Sequence, residues 1–213
     1  MPAATRSWTA ERSGFGLAVA VVGAVLAVLG LFVLDWAAGQ NWLDVRRMVG
    51  QHGDAYSVLS QAYSRALDLP ILVAAIVTAM CATAERAVAR AGSAVAGIGI
   101  GAWLLGVFIW VEAGGVGSDA GRRDALVPLV VIALVGVACG LLGAAALFDT
   151  TSTLARILAL AVAALAIVLH IYFVEDVLSN QALGTWTAVA GYALLVIAPA
   201  LPYRRITHAR TRL

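Results

Sequence analysis

The sequence predicts an all-α membrane protein: a bundle of six transmembrane helices, with an external amphipathic helical segment between spans 1 and 2. Three observations lead there. Hydrophobic residues fill 62% of the 213 positions, charged residues only 12%, and the mean hydropathy is +0.93. An ordinary soluble domain carries about twice that share of charge. The apolar residues also collect into six runs close to the ~20 residues that a helix needs to cross the hydrocarbon layer. None of them alternates as a barrel strand would, and in lipid a helix satisfies its own backbone groups.

The first run, 14–36, follows Arg6 and Arg12 and so resembles a signal peptide. It exceeds the roughly 7–15 residues of a signal core and lacks a small-x-small cleavage site, so it reads as a retained span. The second run, 69–84, is short, but Leu67, Asp68 and Glu85 at its borders suggest a helix that outruns its apolar part. The remaining spans are 95–111, 126–148, 154–174 and 183–201, followed by a tail, 202–213. "GVGSDAGRRD" (115–124) reads as a flexible turn between spans three and four.

Residues 37–68 form the longest polar passage. Within it Trp42, Val45, Val49, His52, Tyr56, Leu59, Tyr63 and Leu67 recur every three or four positions, a helical apolar stripe. Gly50 and Gly53 interrupt it and Asp54 is a candidate N-cap, which predicts two short helices near 42–49 and 54–67. The stripe suits a connector lying on its own bundle and leaflet, a lid over a cavity, or a docking surface. A docking surface would use Trp42, Val45, Val49, Tyr56, Leu59 and Tyr63, with the three aromatic residues as anchors.

Arginine supplies all fourteen basic residues. With six spans both termini share a face; that face holds nine of the arginines and three acids, against five and nine on the other. The bias predicts a multi-pass plasma-membrane protein with cytoplasmic termini, placing 37–68 outside.

Small residues at four-residue spacing, Gly97 with Gly101 and Gly136 with Gly140, predict close helix packing, as do Gly16, Ala20, Ala24 and Ala27 in the first span. "VGAVLAVLGLFVLD" in span one and "VGVACGLLGAAALFD" in span four share glycine spacing and a terminal Asp, the pattern of an inverted repeat.

Chemistry-bearing residues are sparse. Near the outer end of span five, His170 is followed by Glu175 and Asp176; with Asp35 these could form an outward-facing proton or cation site, or merely be solvated. No serine-hydrolase elbow, zincin motif or phosphate loop occurs, so no enzyme and no cofactor is expected. Cys81 and Cys139 stand alone in apolar runs, without metal-ligand spacing. A net charge of +2 gives no basis for nucleic-acid binding.

Six spans, arginine-only basic residues and "LDW…NWLDVRR" after the first span give the chain a resemblance to the small polytopic membrane proteins of mycobacteria and related actinobacteria. Among these it is similar in character to accessory subunits of Mce lipid importers, the lipid-uptake coordinator type. The resemblance implies partners in the bilayer, namely lipids and other membrane subunits. The expected function is therefore a non-catalytic accessory subunit of an envelope transport complex, plausibly for lipids. The alternative is a small secondary transporter or channel.

Overall fold

The structure, a computed structural model, describes residues 14–36, 39–52, 55–84, 86–115, 126–178 and 181–201. Helix α1 spans Gly14–Phe32, and the short α2 spans Trp42–Gln51. Helix α3 (Val58–Ala62) passes through a π-helical turn, Tyr63–Leu67, into α4 (Asp68–Thr83). Helix α5 (Arg86–Trp110) ends in a second π-helical turn, Val111–Gly115. Three helices complete the chain: α6 (Leu126–Ala146), α7 (Thr153–Val177) and α8 (Leu183–Ala200). The fold is an all-α bundle in which six helices are long and apolar enough to cross a membrane, as composition predicted.

The second span begins earlier than its apolar run suggests. Residues 58–83 are one continuous span rather than a surface helix followed by a membrane helix. Ser57 starts it, its side chain accepting from the Ser60 amide at 3.1 Å; Asp54, the expected cap, and Gly53 lie outside the described residues. The polar residues that disguised this turn are consumed locally. Ser64 Oγ donates to the Gln61 carbonyl, and Gln61 Nε2 to the Tyr56 carbonyl, both at 3.1 Å. The third span likewise outruns its apolar core, continuing to Gly115. The 115–124 turn, apart from Gly115, and both tails lie outside the described residues.

Two glycine seams join the helices pairwise. On the first, α1 lies against α8: a Cβ at Gly23 would stand 2.9 Å from the Gly191 carbonyl oxygen, and one at Gly30 would stand 2.7 Å from that of Gly184. On the second, α5 lies against α6: a Cβ at Gly101 would stand 2.6 Å from the Gly136 carbonyl oxygen, and one at Gly143 would stand 2.9 Å from Gly97 Cα. Backbones this close leave room for no side chain, and in lipid such packing drives association. The expected pairs thus lie in the seam, with Gly143 joining them and Gly140 providing the backbone that Gly101 touches.

The seams belong to a wider symmetry. Exchanging α1, α4 and α5 for α6, α7 and α8 turns the α1–α8 contact into α6–α5, α7–α8 into α4–α5, and α6–α7 into α1–α4. The central α4–α7 contact maps onto itself. The pairing has the symmetry of an inverted repeat of three spans, and Gly23 and Gly30 correspond to Gly136 and Gly143.

At the end of the bundle opposite α2, Asp149 organises the turn into α7. Its carboxylate accepts from the Thr151 amide at 2.8 Å and from the Leu154 amide at 2.9 Å. The Thr151 hydroxyl adds a third bond at 2.7 Å. These donors hold the carboxyl below the usual aspartate range. The stabilisation is therefore complete above an ordinary aspartate pKa and fades as pH falls through the lowered folded value.

Gly101→Val should lower the unfolding midpoint in detergent by the equivalent of about 1–3 kcal/mol, the usual cost of overpacking. Gly106→Val on the same helix, where an added Cβ meets nothing within 4 Å, should leave it unchanged. Equal effects would show that the α5–α6 seam is not a close-packed one.

Candidate functional site

Polar and aromatic residues converge beneath α2. The segment leading to it is pinned first: Trp36 is fully buried and its indole N–H donates to the Gly30 carbonyl at 2.8 Å, satisfying an acceptor left free near the end of α1. The Trp36 and Asp35 carbonyls accept from the Ala182 and Gly184 amides, each at 2.9 Å, tying this segment to the start of α8. Asn41 then caps α2 reciprocally with Asp44.

Helix α2 turns Trp42, Val45 and Val49 into the bundle, all at most 1% exposed. The Trp42 ring lies 4.5 Å from that of Trp36 and 5.2 Å from that of Phe173. Its indole N–H donates to Asp68 Oδ2 at 3.1 Å. Arg46, one turn along α2, places Nη1 3.7 Å from the same oxygen. Two side chains of α2 thus answer the Asp68 charge, beside the Leu69 amide on its own helix.

A second chain of bonds lies deeper. Tyr63 Oη is 3.2 Å from His170 Nδ1, and His170 Nε2 is 3.3 Å from the Thr185 carbonyl. A carbonyl can only accept, so Nε2 carries the hydrogen and Nδ1 accepts from the tyrosine hydroxyl. Tyr192 completes the set, with its ring 5.9 Å from the imidazole and its hydroxyl within electrostatic reach of Tyr63 and Asp68. That hydroxyl is buried and lies beside the Tyr63 hydroxyl.

The expected outward-facing site assembles only in part: His170 and Glu175 line one small pocket together with Gln181 and Thr185. His170 is fully buried, whereas Asp35, Glu175 and Asp176 are exposed. Asp35 and Asp176 are not part of that lining. Asp176 instead accepts from the Ser57 amide at 3.0 Å and anchors the start of α3. The docking stripe is also corrected. Trp42, Val45, Val49, Leu59 and Tyr63 are buried in the chain's own core and offer no free surface, while Tyr56 is half-buried against it.

Asp68 is the functional-type residue that sequence reasoning passed over. Ser60, Ser64 and Asp68 follow one another at four-residue spacing, and all three are buried. That polar line running beside the apolar stripe was the available signal. Among the described residues, no group of His, Cys, Asp and Glu is arranged to hold a metal ion. What this arrangement does chemically is bind α2 to the bundle and fix one imidazole tautomer. No protein family, curated protein or solved structure matches the chain.

Trp42→Phe keeps the ring but removes a donor from a buried carboxylate, and should cost about 1–3 kcal/mol. Tyr63→Phe should cost a similar amount by stranding His170 Nδ1. Glu175→Gln should stay within about 0.5 kcal/mol of the parent, as exposed substitutions do. Chemical unfolding in mixed micelles measures all three; a neutral Trp42→Phe would show that the indole–carboxylate bond does not hold α2.

Proposed function

We propose that the protein is a non-catalytic integral-membrane subunit that binds and stabilises a larger cell-envelope transport complex handling lipids, in the plasma membrane of an actinobacterium. The observation that carries this reading is the immobilisation of α2. A ten-residue helix is marginal by itself, yet this one is capped, packed and tied by Trp42 and Arg46 to a buried carboxylate. Its other face presents Leu43, Arg47, Gly50 and Gln51 to the surroundings. Rigidity of that kind lowers the ordering cost of binding and suits a recognition surface. The docking face is thus the one opposite the buried stripe. The arginine bias supports an external α2 and cytoplasmic termini.

A second reading, a small secondary transporter, draws support from two observations. Pairing with inverted-repeat symmetry is a common transporter architecture. Ionisable groups buried within spans also mark transport sites, and Asp68 and His170 are such groups. The subunit reading is preferred because both are engaged in holding α2 and the neighbouring helices in place.

Native purification in several mild detergents, followed by mass spectrometry, should recover a partner protein. The double variant Leu43→Asp, Arg47→Glu should reduce that recovery about tenfold or more at unchanged abundance, as loss of a binding hot spot does. A homogeneous monomer in every detergent would sink the subunit reading. Gradient-driven solute flux in proteoliposomes, abolished by Asp68→Asn, would favour the transporter. A phosphatase fusion active after Leu213 would overturn the proposed orientation.

A further inference from the structure

The flank of α5 that turns away from the bundle is built unlike other lipid-facing surfaces of the protein. Outward positions of α1 and α6 carry bulky residues such as Phe15, Val25, Val131 and Leu134. On α5, Gly99, Ala102 and Gly106 face outward instead, and a Cβ added at either glycine would meet nothing within 4 Å. Trp103 and Trp110 rise from this low strip, 48% and 38% exposed. Together with Arg65 they line a groove of about 600 Å³.

The groove follows from one backbone defect. Pro70 has no N–H, so the Ala66 carbonyl lacks its helical donor. Trp103 supplies the replacement, its indole N–H donating to Ala66 O at 2.8 Å, which fixes the ring against the π turn. The same turn carries Arg65, whose Nη1 makes a long, 3.5 Å contact with the Gly115 carbonyl. Among the described residues no carboxylate lies within ion-pair distance of this guanidinium.

We propose that this groove binds an anionic phospholipid, with the phosphate on Arg65 and one acyl chain along Gly106, Ala102 and Gly99. Charge selects the headgroup: a guanidinium without a carboxylate partner among the described residues matches a phosphate in geometry and sign. Length fits the chain: the eleven rises from Gly99 to Trp110 cover about 16 Å of helix, close to half of a ~30 Å hydrocarbon layer. The volume lies within the roughly 300–1,000 Å³ of small-molecule sites. A partner helix on the same strip would bury Arg65 against apolar side chains and would have to bring its own carboxylate; a phospholipid brings the counter-charge with it.

The test uses the full chain in micelles containing equal amounts of phosphatidylglycerol and phosphatidylcholine, with native mass spectrometry counting the lipid retained. The parent protein should prefer phosphatidylglycerol about fivefold, the scale of one basic residue facing an anionic lipid. Arg65→Gln should abolish the preference. Gly106→Leu, which fills open space, should lower retention of both lipids at an unchanged unfolding midpoint and remains informative if the arginine variant misfolds. Equal retention of the two lipids by the parent, or parental retention by Gly106→Leu, would overturn the proposal. So would Gly99→Cys forming disulfide links to another protein chain in native membranes, since that outcome marks the strip as a protein interface.

Discussion

A missing backbone hydrogen shapes the whole α2 end of the molecule. Pro70 stands within the first turn of α4 and cannot donate to the Ala66 carbonyl, and its ring crowds that carbonyl as well. The helix answers by widening: Tyr63–Leu67 form a π-helical turn, with the Asp68 amide reaching back five residues to the Tyr63 carbonyl. In a regular α-helix, residues 63 and 68 would diverge by about 140°. The wider turn returns the fifth residue nearly above the first, so both side chains face the interior. The same turn leaves Arg65 outside and gives Trp103 an acceptor. Interior cluster and surface groove therefore share one origin.

Burying Asp68 makes the cap and the bundle mutually dependent. An ionised carboxylate inside an apolar bundle is costly unless donors and countercharge meet it; besides the Leu69 amide, these are the Trp42 indole and the Arg46 guanidinium, both on α2. In return, the carboxylate holds a helix too short to persist alone. Neither part explains the other without this contact. Removing one partner leaves an uncompensated charge in the interior, a larger loss than the bond itself contributes. The exposed face of α2 inherits its order from that buried pair, and this is how an interior residue can govern what the surface recognises.

Spans and close-packed glycines were legible in the sequence because each depends on a one-dimensional quantity, apolar length or residue spacing. Gly97, Gly101, Gly136 and Gly140 fall in the seam for that reason. The α1–α8 seam was harder to read: Gly184, Ala188 and Gly191 recur at four and three residues, a spacing that merges into the general abundance of small residues. The site was largely illegible. Periodicity places Trp42, Val45, Val49 and Tyr63 on one stripe but cannot say which body that stripe faces, and here it faces the chain's own core. Nor does proximity along the chain reveal that His170 reaches Tyr63, 107 positions distant, or that Asp176 anchors Ser57. A π turn also shifts helical phase, so any stripe drawn through residues 58–71 on a regular period was bound to misplace Asp68.

The symmetry of the bundle shows where function concentrates. Each glycine seam joins an outer helix of one half to an outer helix of the other, and the central helices, α4 and α7, meet each other. Two of the breaks in the match lie at one end. The first half inserts α2 between its first two spans, whereas a short turn around Asp149 suffices in the second. The first half's central span carries a π turn ahead of Pro70, whereas α7 runs unbroken from Thr153 to Val177. A symmetric scaffold needs neither feature to close its seams. Their coincidence with the buried polar cluster, the exposed helix and the arginine-bearing groove means that these two departures from symmetry and the chemistry-bearing residues around Asp68 occupy the same end of the bundle.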